Sequence, residues 1–234
     1  LNSGIEINLI DKNTDQKSKD YGEIINKFRP AHADYTYWKK YKIRDYRGGG
    51  RSSARETAMR VAAGAIARLI LGKRITITGA VIQLGKMKIN KKRWDTNFIT
   101  KNDFFCPDPK VIEDWKKYLT KIRKEGSSCG AIIEIKIKGV PAGLGEPIYG
   151  KLDAELAAGL MSINAVKGIE IGAGFKSASM SGEQNSDEIE INENGNVEFL
   201  SNNSGGILGG ISSGQDIICK IAVKPTSSIV KYQK

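Results

Sequence analysis

The sequence predicts an α+β fold built on antiparallel sheets, and three observations predict it. Strand-like stretches are not interleaved with helices as regular βαβ units, which disfavours a doubly wound parallel sheet. Two of those stretches, Ile133-Glu134-Ile135-Lys136-Ile137-Lys138 and Glu188-Ile189-Glu190-Ile191, alternate apolar and charged residues strictly, the pattern of a sheet with one wet face. The helical segments keep their apolar residues at a 3.6-residue period. With 234 residues the chain is long enough to bury a core without a disulfide or metal staple.

Strands are expected over residues 5–10, 75–83, 131–138, 168–171, 188–191 and 216–223. The clearest helix covers 53–71, where Ala54, Ala58, Val61, Ala62, Ala65, Ile66 and Leu69 share one stripe and Ser53 with Glu56 forms a capping-box pattern. A stripe made mostly of alanine predicts a central helix packed tightly between layers. A second helix fits 109–125 through Val111, Trp115, Leu119 and Ile122, and a third fits 151–162 through Leu152, Leu156 and Leu160. The polar, asparagine-rich stretch 183–203 reads as a surface hairpin excursion. No internal repeat is present, and no linker clearly divides the chain.

Lys+Arg 37 against Asp+Glu 26 gives a formal charge of +11, so polyanions and phosphorylated small molecules lead the partners to consider. Cys106, Cys129 and Cys219 lie far apart, with no C-x-x-C and a single histidine, which removes zinc sites, ferredoxin-type clusters and a disulfide framework. They read as free thiols in a reducing compartment. No apolar run approaches the roughly 18 to 20 residues of a membrane helix, and Leu1-Asn2-Ser3-Gly4 is not a signal peptide, so a cytoplasmic protein without membrane contact is expected. The lysines in 86–93 and 116–124, with Trp94 and Trp115 nearby, are the best case for nucleic-acid binding. No nucleic-acid motif accompanies them, and a solvated lysine face is the preferred reading.

Chemistry concentrates elsewhere. In Arg44-Asp45-Tyr46-Arg47-Gly48-Gly49-Gly50-Arg51-Ser52-Ser53-Ala54-Arg55-Glu56-Thr57 a glycine run precedes a helix start. There unpaired N–H groups, two serine hydroxyls and the bidentate donors of Arg51 and Arg55 suit an anion. The plainer alternative is a capped helix with solvated arginines, and the segment fails the P-loop pattern. His32, the one histidine, has Arg29 and Asp34 close in sequence to tune it. A lone histidine is more often structural than catalytic, and no G-x-S-x-G elbow supports a hydrolase. Gly172-Ala173-Gly174-Phe175 lacks the third glycine and the following helix of a dinucleotide site. The paired glycines of Gly205-Gly206-Ile207-Leu208-Gly209-Gly210 either lie beneath a planar ring or make a tight turn, and Lys224-Pro225-Thr226-Ser227-Ser228 offers a cation and hydroxyls for a phosphate.

These residues carry a family resemblance. The chain resembles chorismate synthase through most of its length, in Asn13-Thr14-Asp15-Gln16, Arg29-Pro30-Ala31-His32-Ala33-Asp34-Tyr35-Thr36-Tyr37, the 44–57 block, Gly139-Val140-Pro141-Ala142-Gly143-Leu144-Gly145-Glu146-Pro147, the 205–214 block and 224–228, in the family's order. The resemblance implies a lyase that converts 5-enolpyruvylshikimate 3-phosphate to chorismate and phosphate by a 1,4-anti elimination, the last common step of the shikimate pathway. It needs reduced FMN, which in the family donates an electron transiently and helps remove the C6 proton. It further implies a β-α-β sandwich with central helices between two antiparallel sheets, a homotetramer, and an external flavin reductase.

Carried across by position, His32 matches a catalytic histidine near the flavin ring. Arg51, Ser52, Ser53, Asn164, Ala165, Gly209, Lys224, Pro225, Thr226, Ser227 and Ser228 match flavin-contacting positions, and Arg29 and Arg55 match residues facing the substrate's anionic groups. The family's N-terminal Gly-Glu-Ser-His-Gly and C-terminal Arg-His-Asp-Pro stretches are missing. Residues 1–234 are therefore expected to form one chorismate synthase-like domain without the N-terminal, C-terminal and some loop segments of the full enzyme. The competing readings are a catalytically incomplete flavin- or anion-binding module and a basic nucleic-acid-binding protein.

Overall fold

The structure, a computed structural model, describes residues 9–10, 27–44 and 54–231. Its contacts divide the chain into two units, 1–72 with 227–234 and 73–226.

In the first unit, helix α1 (Asp34–Tyr41) was not legible in the sequence, because its aromatic and lysine side chains make no clean apolar stripe. A 3-10 turn at Ala54–Glu56 leads into helix α2 (Thr57–Leu71), whose N-cap residue Glu56 makes no side-chain capping bond. Ser53, the other half of the expected capping box, lies outside the described residues, as do residues 5–8 of the first expected strand. The alanine stripe of α2 is not buried in this chain: Val61 is 74% and Leu69 82% exposed. Periodicity identifies a face for burial and says nothing of what covers it.

In the second unit, strands β1 (Thr76–Leu84), β2 (Met87–Lys88), β3 (Ala131–Lys138), β4 (Val166–Ile171) and β9 (Ile217–Val223) form one antiparallel sheet in the order β2-β1-β3-β9-β4. Between β4 and β9 lie two small hairpins, β5 (Ile189–Ile191) with β6 (Val197–Phe199), and β7 (Ile207–Leu208) with β8 (Ile211–Ser212). The strict alternation of β3 sets the register. Ile77 pairs with Ile137 and Ile137 with Ile217, while Ile135 pairs with Cys219 and Ile133 with Ile221, so the branched side chains of three strands share one face.

Helix α4 (Leu152–Met161) packs Leu152, Leu156 and Leu160 against a core of Val140, Ile207, Ile217 and Cys219. These leucines are partly buried, and each contributes a share of the roughly 2 kcal/mol that full burial would give, still more than the propensity differences along the helix. On the opposite face Ala80, Glu134, Lys220 and Glu170 stand in one cross-strand row. That face was expected to be wet, yet Glu134 is buried and ion-paired to Lys91 Nζ at 2.7 Å.

Helix α3 (Ile112–Lys124) follows a 3-10 turn at Pro109–Val111 and carries Val111, Ile112 and Trp115 into a second cluster with Cys106. Fully buried Asp108 starts it, accepting the N–H of Lys110 at 3.1 Å and of Asn90 at 3.0 Å. Arg93 clamps the same carboxylate through Nε at 2.9 Å and Nη2 at 2.7 Å, so a buried charge is fully paired.

Candidate functional site

A proline turn gathers the first group of candidate residues. Pro30 fixes the second turn position, Ala31 takes a left-handed φ of 56°, and the His32 N–H donates to the Arg29 carbonyl at 3.2 Å. The turn delivers Asp34 as the first residue of α1, only 5% exposed. Its carboxylate accepts the Arg29 backbone N–H at 3.2 Å, Nε at 2.9 Å and Nη2 at 3.0 Å, and Arg44 Nη2 approaches at 3.4 Å. Burial by itself would raise this acid. The Arg29 hydrogen bonds and the charges of His32 and Arg29 outweigh it and hold the carboxyl well below the usual carboxylate range.

His32 Nδ1 lies 2.9 Å from Asp34 Oδ1 and 3.0 Å from Arg29 Nη2. A guanidinium only donates, so the two neighbours pull Nδ1 in opposite directions, the carboxylate favouring a proton on it and Arg29 a lone pair. The ring is thereby oriented through Nδ1, and its Nε2 edge faces away from the pair. Arg29 extends its remaining nitrogen, Nη1, to Ser228 Oγ at 3.4 Å. Arg55 is exposed in the turn before α2, and Arg51, Ser52 and Ser53 lie outside the described residues.

The second unit holds the other group. Ala165, at φ 69°, follows Asn164, and its carbonyl accepts the Lys224 N–H at 2.9 Å, so two stretches distant in sequence lie side by side. The Thr226 carbonyl accepts Ser128 Oγ at 2.8 Å, and Pro225 lies against Gly130, where an added Cβ would meet Val223 O at 2.6 Å. Ser227 and Ser228 belong to the first unit by their contacts.

The paired glycines resolve as a tight turn. Gly209 and Gly210, at φ 60° and 87°, occupy the two left-handed positions of a two-residue hairpin loop between β7 and β8. A Cβ on Gly209 would meet nothing within 4 Å, whereas one on Gly210 would meet Lys151 Cγ at 2.5 Å. The loop over residues 141–145 lies along the hairpin: the Gly143 N–H donates to Ser212 O at 2.9 Å and the Ser212 N–H to Leu144 O at 2.8 Å. Buried Ser212 locks the edge, its hydroxyl donating to Pro141 O at 2.6 Å and accepting the Leu144 N–H at 2.9 Å. After Gly172 a 3-10 turn at Gly174–Ser179 replaces the helix that a dinucleotide site requires.

Sequence reasoning placed Asp34 beside His32 as a tuning residue, gave Arg44 no role beyond its place in the 44–57 block, and assigned none to Ser212. Asp34 had a signal, its place two residues after the one histidine; Ser212 had none, since its partners lie about 70 positions away.

The chain is thus an α+β protein of antiparallel strands whose described loops hold the Arg29–His32–Asp34 cluster and the Gly209-Gly210 turn. The family model for chorismate synthase matches residues 2–234. A chorismate synthase of Parvibaculum lavamentivorans is 60% identical over 234 residues, all of this chain and 64% of the relative. One from Agrobacterium fabrum is 58% identical over 228 residues, 97% of this chain and 62% of the relative. A crystal structure of chorismate synthase superposes with a TM-score of 0.77 at 35% identity, covering 82% of this chain and 62% of that one. The chain belongs to the chorismate synthase family, and it spans less than two thirds of the length of these relatives.

Proposed function

We propose that the protein carrying this chain is a chorismate synthase, a carbon–oxygen lyase that releases phosphate from 5-enolpyruvylshikimate 3-phosphate by a 1,4-anti elimination. The observation that carries the reading is the family match over residues 2–234. In the reaction the bond to the 3-phosphate breaks, the C6 proton leaves, and the electrons of the C6–H bond enter the new diene.

Within this reading His32 handles a proton at Nε2, while Asp34 and Arg29 hold its ring from the Nδ1 side. Arg29, through its Nη1 edge, and the exposed Arg55 face the anionic groups of the substrate. Reduced FMN, when bound, supplies an electron-rich ring. Arg51, Ser52, Ser53, Asn164, Ala165, Gly209 and the stretch 224–228 would hold it. The donor set suits such a group: Lys224 and the hydroxyls after it match a phosphate, and no atom lies within 4 Å of where a Cβ on Gly209 would sit. Flavin reduced by a separate reductase, a homotetrameric assembly and a cytoplasmic setting complete the proposal. Among the described residues no helix is long and apolar enough to cross a membrane.

The test is an anaerobic assay of the full-length protein with reduced FMN and the enolpyruvyl substrate. Stoichiometric phosphate and chorismate are expected. Binding of FMN with no phosphate release would overturn the lyase reading in favour of a flavin-binding module.

A further inference from the structure

The excursion 183–198 is chemically unlike the rest of the chain. It holds Glu183, Asp187, Glu188, Glu190, Glu193 and Glu198, and no lysine or arginine occurs between Lys176 and Lys220 in a chain of net charge +11. The ribbon formed by β5 and β6 is exposed on both sides. Ile189 pairs with Phe199 and Ile191 with Val197, which makes one face apolar, and Ile191 is 73% exposed. On the other face Glu190 stands directly opposite Glu198, a like-charge pair that destabilises a hairpin unless a cation joins it. A lone two-stranded ribbon is marginal in water. Asp187 ties its base to the body, accepting the N–H groups of Asn203 at 2.6 Å and Ser204 at 2.8 Å. The ribbon is therefore a rooted arm with two uncovered faces.

The same unit carries the complement. Along α3 a shallow open groove is lined by Lys116, Lys117, Thr120, Lys121 and Lys124, with Glu125 at its end. Lys116 pairs with Glu113, but Lys117, Lys121 and Lys124 make no ion pair among the described residues, and neither do Glu190 and Glu198. Lysines at i and i+4 on a helix stand about 5–6 Å apart between Cβ atoms, and directly opposed residues on a ribbon about 4.5–5.5 Å apart. The two spacings match.

We infer that the acidic arm docks on the lysine groove of α3 in a second copy of this chain, with Glu190 and Glu198 against Lys117 and Lys121. The inference rests on, and deepens, the reading that the protein self-associates. The lysine run is then a receptor for the arm rather than a solvated face. Sedimentation velocity on the full-length protein tests it. Glu190→Lys with Glu198→Lys is expected to weaken self-association at least tenfold, Lys117→Glu with Lys121→Glu likewise, and the four changes together to restore it. As a second measurement, Glu198→Cys with Lys121→Cys is expected to give an intermolecular disulfide under oxidation, with neither single variant doing so. Unchanged association in both double variants, failure of the fourfold variant to recover, or no cross-link would overturn the arm contact while leaving self-association standing. A wild-type protein monomeric at every concentration would overturn both.

Discussion

The Arg29 guanidinium meets the Asp34 carboxylate along two parallel bonds, Nε to Oδ2 at 2.9 Å and Nη2 to Oδ1 at 3.0 Å. Bidentate pairing of this kind fixes orientation as well as charge. Because His32 Nδ1 touches both partners, the pair also sets the plane of the imidazole.

Asp34→Asn leaves Arg29 facing a neutral, partly mismatched amide in a buried place, and is expected to cost about 3 kcal/mol in urea unfolding at pH 7. The sign with pH follows from the depressed acid. The stability it contributes is fully present above its unfolded pKa of ~3.9 and is lost as pH falls below that value, so the gap between wild type and variant closes in acid. A gap that stays constant down to pH 2 would show that the pair is not the source.

Replacement of His32 by alanine in the full-length protein is expected to slow turnover by about 100-fold with little change in substrate affinity, because its proposed role is proton handling rather than binding. Equal turnover in wild type and variant would remove His32 from the chemistry.

Two glycines separate folding from binding. Gly145 has φ 113°, and a Cβ there would press on the Gly210 carbonyl, so Gly145→Ala is expected to destabilise by about 2 to 3 kcal/mol. Gly209 has open space above it, and Gly209→Ala carries only the cost of a left-handed alanine, about 1 kcal/mol. Gly209→Ala is therefore expected to weaken FMN binding with a small change in melting temperature, measured by flavin titration beside a thermal melt. Unchanged FMN affinity would take Gly209 out of the cofactor contact.

Burial pushes the Cys219 thiol up to about 11, and raises Cys106 and Cys129 as well. Cys106 and Cys219 are fully buried while Cys129 is half-buried. A disulfide reagent at pH 8 is expected to label Cys129 first, and the other two only as the protein unfolds. Fast labelling of Cys219 in the native protein would contradict the packing of α4 on the sheet.

The sequence by itself determined four strands of the main sheet, β1, β3, β4 and β9, and helices α3 and α4 closely, while the two-residue β2 had no signal; strict alternation in β3 and the leucine stripe of α4 each admit one face for burial. It also pointed to His32 and its neighbours Arg29 and Asp34, since residues so close in sequence share a turn. Tertiary structure decided the rest. Helix α1 lacks an apolar period, and Asp108 and Ser212 are defined by partners on other segments that no local pattern records. The glycines at 209 and 210 were open to two readings until pairing of β7 with β8 made them a turn. Burial of Glu134 likewise required Lys91 to arrive from a separate segment. Local periodicity reports which face of an element is apolar; which side chain meets it is settled by contacts between segments far apart in the chain.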